Sequence, residues 1–490
     1  MIQLSDATLI ITIGKKISCG AIILYCLNLP PDLRYKPENV FIIGLTPSPY
    51  FPDVTTISHL LDPVVNALAK YGIAPGQLIP TYNHPNGAWI QARVAPLIAD
   101  LEASRKASGF LSHAATMFCS FCLCKQEDLK MLTLAPLRNS VQVRSQADAW
   151  LKTETKSGRA AMEKETGVRW TSLYRLPYWD PVRHVVLGYM HNWLEGILQN
   201  HLRTLWGLGR AEGEQKRVKE IEEDEQWTDT DVSDSANELD DLLSEAAEYD
   251  TEAAEAQQNT SQPSYNHSES SFSSHHPTLG SSTPSSSSTP TVSELEINSY
   301  LADAGDNNDD MDLDYQPVDT SAFSFTDLEI GSIQSCICNV TLPTWVQRPP
   351  VNLGEASHGK LKAHEYLLLF TCIFPLVIPE FWHHPDTPLD DSYQHLECFY
   401  HLVSATNILS SFKTSNSKAD TYTQHYTAYY AAIQTLFPYH NPKPNHHYAM
   451  HNGDLMKYWG PLPVISESFG ERMNGMLQGI KTNRRFSMYI

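Results

Sequence analysis

Cys119 and Cys122 form a Cys-x-x-Cys pair nineteen residues after Asp100. His446 and His451 form a His-x4-His pair that ends twenty residues before Glu471. Two thiolates and two imidazoles make a ligand set that suits tetrahedral zinc. One ion joining the two halves would draw Asp100 and Glu471 together across more than three hundred residues of chain. Such a meeting of carboxylates suggests divalent-metal phosphoryl transfer. That chemistry holds two ions about 3.5–4 Å apart to activate water and stabilise a leaving oxygen. Asp100 and Glu471 are therefore the candidate catalytic carboxylates, with Glu467 as the alternative to Glu471.

Each half has a plainer alternative. Cys119 and Cys122 also read as a pair of buried thiols. Cys124 and His113 lie close enough in sequence for a purely local Cys3His site. The histidine group His446, His447 and His451 could be ordinary polar or core contacts in a chain with 20 histidines. Taken with the cysteines, His446 and His451 are the expected ligands, with His447 as substitute. Cys336-Ile-Cys338 has no nearby partner of ligand type and reads as structural. Asn352–Glu355 and His358–Lys360 read as a solvated loop.

The 490 residues allow two to four domains and a sizeable core. The formal charge of -21 is unevenly placed. Residues 211–320 hold 28 Asp/Glu and 3 Lys/Arg, whereas the remainder holds 28 Asp/Glu and 32 Lys/Arg. An acidic insert sets the total, so the charge does not exclude a nucleic-acid partner. The insert is also Ser-, Thr- and Pro-rich, a composition that predicts disorder. Nine cysteines at uneven spacing do not make a disulfide framework. Cys26, Cys372 and Cys398 lie among apolar residues and read as buried thiols of a protein in a reducing compartment. No secretory signal is evident, and no unbroken apolar run reaches about eighteen residues, so no membrane span is expected.

The elements that must position these groups read as follows. Thr8–Ile13, Gly20–Cys26 and Asn39–Leu45 are strand-like runs. Residues 55–71 form an amphipathic helix, with Pro63 marking an alternative start capped by Asp62. Arg93–Asp100 is a fourth apolar run ending in a carboxylate, and Leu101–Ser108 is helical. His184–Gly188 reads as a fifth strand and Met190–Leu205 as a helix. Residues 361–438 read as an α-helical insertion rich in aromatics. Ser468–Ile480 is a helix whose apolar face carries Phe469, Met473, Met476, Leu477 and Ile480. Glu471 lies off that face, so it need not be buried. The fold class expected is α/β, compatible with an RNase H-like core. The expected division is 1–205 with the zinc cysteines, 206–320 disordered, 321–440 helical and 441–490 with the zinc histidines and the Glu471 helix.

The arrangement resembles the DDE transposases of the CACTA type, especially their fungal branch. The matching stretches are Leu29-Pro-Pro-Asp-Leu-Arg-Tyr-Lys-Pro-Glu-Asn-Val40, Ile98-Ala-Asp-Leu101, Phe118-Cys-Ser-Phe-Cys122 and Leu176-Pro-Tyr-Trp-Asp180. Further on come Gly188-Tyr-Met-His-Asn192, Lys443-Pro-Asn-His-His-Tyr-Ala-Met-His451 and Gly470-Glu-Arg-Met-Asn-Gly475. The resemblance covers nearly all of the chain outside 211–320. It implies metal-dependent DNA cleavage and strand transfer by ancestry, with structural Zn2+ and with Mg2+ or Mn2+ for catalysis. Asp100 and Glu471 would be the second and third catalytic carboxylates, and Cys119, Cys122, His446 and His451 the zinc ligands. His191 would be a structural histidine. The implied partners are transposon-end DNA and further copies of the chain, and the implied location is the nucleus.

The departures are as telling. The family's first catalytic Asp lies near the end of its first strand, whereas Ala7–Ile13 is followed by Gly14-Lys15-Lys16. Asp6 precedes that run and could serve only if the first strand were the clipped Ile2-Gln-Leu4. Gly188 stands where an Asp or Cys opens the motif ending at His191. No DNA-binding segment precedes the core, and little follows Glu471. The resemblance thus implies a truncated or degenerate copy, inactive for want of its first Asp. A non-enzymatic, zinc-stabilised scaffold binding nucleic acid or protein is the second expectation. An unrelated α/β protein whose Cys and His never meet is the third.

Overall fold

Strict alternation of side chains gives the sheet two different faces. Ala21, Ile23 and Tyr25 join one buried cluster, while Ile22 between them joins another. In the computed structural model, the described residues are 2–11, 15–45, 56–208, 323–383 and 391–478. The acidic insert 211–320, residues 209–320 of the expected disordered segment, and the basic residues Lys481, Arg484 and Arg485 lie outside them.

Strand β1 (Ile2–Ile11) pairs antiparallel with β2 (Lys15–Tyr25), and β2 with β3 (Val40–Leu45), with a bulge between Ile22 and Ile23. A helix, α1 (Ile57–Tyr71), follows, then a separate hairpin of β4 (Gln77–Ile79) and β5 (Ala88–Ile90). Strand β6 (Leu97–Ala99) then enters the first sheet parallel to β1, giving the order β3-β2-β1-β6. The expected fifth strand is a single parallel bridge, Val185 to Leu97. Leu97 N–H donates to His184 O at 2.7 Å, and Val186 N–H donates to Leu97 O at 3.1 Å.

Two expectations are corrected here. The first strand does not begin at Ala7, because the β1–β2 register starts at Ile2↔Leu24 and Asp6 lies opposite Gly20. Only Ile2–Leu4 pairs with β6, so Asp6 stands two residues beyond the Leu4–Ala99 pair, at the end where Asp100 follows. Pro63 does not start α1 either. It lies inside a helix that begins at Ile57, and the burial of Ile57, Leu61, Val64 and Val65 outweighs the missing amide.

On one face of the sheet, α1 buries Ile57, Leu61 and Val65 with Leu97, Ala99, Trp179 and Val185. The helix α2 (Leu101–Ser108) starts directly at the end of β6. Beyond it come α3 (Ser140–Lys152) and α4 (Lys156–Thr166). The expected helix after Gly188 is wound as a π-helix over Met190–Leu198 and His201–Leu205, a rare form frequent at functional sites.

The chain is mixed α/β and mostly helical. Helices α5 (Asp327–Asn339), α6 (Ala363–Leu368), α7 (Phe374–Trp382), α8 (Asp391–Leu409) and α9 (Asn416–Leu436) make the aromatic layer. Trp206, Phe325, Phe370, Phe374, Trp382 and Phe399 pack within it, and the same buried cluster runs on to Ile23 and Tyr25 of the sheet. Ala363–Trp382 is the one described helix long and apolar enough to cross a membrane. Its residues Tyr366, Phe370, Ile373 and Phe374 are buried in this core. Of the cysteines expected inside, Cys398 is buried, Cys372 is half-buried and Cys26 is exposed. Three short helices close the chain: α10 (Pro444–Ala449), α11 (Asn452–Trp459) and α12 (Ser468–Gln478).

Candidate metal clasp and carboxylate–histidine centre

The two cysteines sit in a loop after α2 that buried arginines hold in place. Arg105 donates to Phe118 O at 2.7 Å. Arg138 donates to Cys119 O at 2.8 Å and to Cys122 O at 3.2 Å, and Phe121 N–H points at Cys119 Sγ at 3.4 Å. The histidines come from α10 and the turn that follows it. Tyrosines on α9 fix that turn: Tyr426 Oη donates to His446 O at 2.7 Å, and Tyr422 Oη donates to Ala449 O at 3.0 Å.

The structure joins the halves as the sequence suggested, but with a different histidine. Cys119, Cys122, His447 and His451 are all buried, and their ligand atoms lie within 4.8 Å of one another. Cys122 Sγ is 3.2 Å from His447 Nε2, Cys119 Sγ is 3.5 Å from His451 Nε2, and the two Nε2 atoms are 3.4 Å apart. A tetrahedral zinc with Zn–S about 2.3 Å and Zn–N about 2.0 Å places its ligands roughly 3.3–3.8 Å apart, so the donor set fits that ion. A hydrogen bond with Cys119 lowers the Cys122 thiol, but the Cys124 thiol and burial push it up to about 11. The Cys122 thiol thus stays neutral until a metal displaces its proton.

His446 is the correction. Residues four apart share a helix face, whereas residues five apart are turned by about 140°. His451 therefore pairs with His447, and His446 points away. His446 stacks on Tyr430 with ring centroids 5.6 Å apart, and its Nδ1 accepts from Lys443 N–H at 3.3 Å. Burial holds it neutral, with a pKa of about 3. The local alternative does not form: neither Cys124 nor His113 belongs to the group.

A second centre lies around His191 on the π-helix. Asp100 caps α2, accepting from Ala103 N–H at 2.7 Å, and burial raises its pKa against the lowering effect of Ala103 and His191. Glu467 is buried, accepts the His191 backbone N–H at 2.8 Å, and is likewise raised by burial. His191 Nδ1 donates to Glu195 at 2.8 Å, and its Nε2 lies 3.8 Å from Glu471. Burial disfavours the imidazolium, but bonds to Glu195 and Glu471 and the charge of Glu467 hold the His191 pKa well above its ordinary value. Glu471 thus lies beside His191, and the charge of the same histidine acts on Asp100, more than three hundred residues earlier in the chain.

Three features of this centre differ from the sequence reading. His191, expected to be structural, sits among the carboxylates. Glu471, which its place off the apolar face left free to be exposed, is 9% exposed. Glu195 was missed, although its i,i+4 spacing from His191 was there to find. Gly188 also acquires a reason, since a Cβ at that position would overlap Glu467 Oε1. Gly188→Ala should cost about 1–3 kcal/mol by overpacking. Urea denaturation measures it, and an unchanged midpoint would show that Glu467 can move aside.

No protein-family model matches the chain, and no curated protein matches it.

Proposed function

We propose that this chain is a transposase-derived protein of DDE type, on an RNase H-like core, that has kept its zinc clasp and lost most or all DNA cleavage. One observation carries the reading. The Cys119/Cys122–His447/His451 cluster joins two distant parts of the chain, Glu471 lies 3.8 Å from His191, and the charge of the same histidine acts on Asp100. The sheet supports it: β1 is flanked by antiparallel β2 and parallel β6, with the Val185 bridge outermost and Asp100 at the end of β6.

Loss of cleavage follows from what the carboxylates already do. Two-metal phosphoryl transfer needs carboxylate oxygens converging on both ions. Among the described residues, the Cys/His cluster is the one group of three or more ligand atoms close enough to hold a metal. Asp100 is engaged at the start of α2, and the imidazolium of His191 offsets the charge of Glu195 and Glu471. The carboxylates therefore do not fit a Mg2+ or Mn2+ site in this arrangement. What remains is a zinc-stabilised scaffold for DNA, working in the nucleus by the same resemblance.

A second reading rests on the register of β1, which puts Asp6 at the same end of the sheet as Asp100. On that reading Asp6 is the first carboxylate and the triad is complete. Incubation with plasmid and duplex DNA in Mg2+ or Mn2+ separates the two. The proposal expects no cleavage above the metal-free background. Robust metal-dependent cleavage, lost in Asp100→Asn and in Asp6→Asn, would overturn the loss of activity and establish the second reading.

A further inference from the structure

The β4–β5 hairpin shows large apolar side chains to solvent. Tyr82 is 99% exposed, Trp89 61% and Leu78 49%, and Leu78 and Trp89 are direct cross-strand partners. Displaying such groups is unfavourable in water, and large exposed apolar patches mark interaction sites.

The backbone that carries them is tied down. Thr81 N–H donates to His84 O at 3.0 Å, and His84 N–H donates back to Thr81 O and Oγ1, each at 3.1 Å. That closed turn fixes Tyr82 at the tip. At the base, Gln77 Nε2 donates to Lys70 O at 3.1 Å, and Ala92 N–H donates to Tyr71 O at 3.3 Å. Gly76, at φ +93°, lets the strands approach so closely that a Cβ there would overlap Ile90 O. An aromatic presented on a fixed turn loses little further freedom on binding.

Charge says what could land there. The chain has 56 Asp/Glu, yet none lies between 63 and 99, a stretch that carries Lys70 and Arg93. Arg93 is exposed, with its guanidinium 5.5 Å from the Tyr178 ring. Asn83, Asn86 and Gln91 add exposed amides. Aromatic faces, amides and cations without carboxylates fit unpaired bases on a phosphate backbone.

We propose that the hairpin is a docking surface for single-stranded nucleic acid, with Tyr82 and Trp89 stacking on bases and Arg93 meeting phosphate. It rests on the nucleic-acid reading above, but on binding rather than on cleavage. Six residues join β5 to β6, the strand that Asp100 follows.

The test is fluorescence anisotropy of labelled oligothymidylate and oligouridylate with the full zinc-loaded chain, without magnesium. Binding should weaken with salt. Tyr82→Ala and Trp89→Ala should each weaken it by about five- to a hundredfold, and Arg93→Gln should lower the salt slope by roughly 0.7. Trp345→Ala, an exposed aromatic elsewhere, should change nothing. Tyr82 is fully exposed, so its removal leaves the fold intact. No binding of either polymer, binding of duplex alone, or undiminished binding by the Tyr82→Ala/Trp89→Ala double variant would overturn the proposal. Failure of the cleavage assay would leave it standing.

Discussion

Cys119→Ser and His447→Ala should each lose the zinc and most of the folded state, while His446→Ala keeps one zinc per chain. The cluster joins a loop after α2 to the turn after α10, across more than three hundred residues. Structural zinc contributes about 10–16 kcal/mol of apparent free energy to the domains that it closes. Removing one ligand of four should therefore cost several kcal/mol, more than the net stability of many domains. His446→Ala also removes a fully buried ring and will lower stability, so stability alone does not separate the variants. Metal content does. Zinc lost in His446→Ala and kept in His447→Ala would reverse the ligand assignment.

His191→Ala should be the most damaging change outside the clasp. It removes the bonds that the imidazolium makes to Glu195 and Glu471, and hydrogen bonds to charged groups contribute about 1.5–3 kcal/mol each. The pH dependence has a definite sign. The folded-state pKa of His191 is raised above its ordinary value, so its contribution is complete below about pH 6.5 and is lost as pH rises through the folded value. Asp100 and Glu467, also raised, lose stability in the same direction, but from their lower ordinary values upward. Denaturation midpoints from about pH 6 to about pH 9 should thus show the gap between wild type and His191→Ala narrowing as pH rises. A gap that stays constant would mean that His191 carries no extra proton in the folded state.

The parts legible in the sequence were those set by local periodicity. Apolar, β-branched runs marked β2 and β3, and the apolar run ending in Asp100 marked β6. The Cys-x-x-Cys and a histidine pair marked the clasp. The error at His446 was one of helix geometry: the outer pair, five apart, was chosen over the pair four apart, which alone share a face. The His191 centre was not legible, because it is made by tertiary contact. Nothing local says that Glu467 will fill the space beside Gly188, or that Glu471 will be drawn off the solvent side of α12 towards a buried charge. The start of β1 was missed because Asp6 interrupts its apolar pattern, and pairing with β2 rather than propensity carries the strand through it.

Zinc K-edge X-ray absorption of the purified full chain tests the clasp most directly. One zinc with two sulfurs at about 2.3 Å and two imidazole nitrogens at about 2.0 Å, unchanged in His446→Ala, is the result expected of Cys119, Cys122, His447 and His451. Three sulfurs and one nitrogen, or a chain that folds without zinc, would contradict it and leave Asp100 and Glu471 to be brought together by other means.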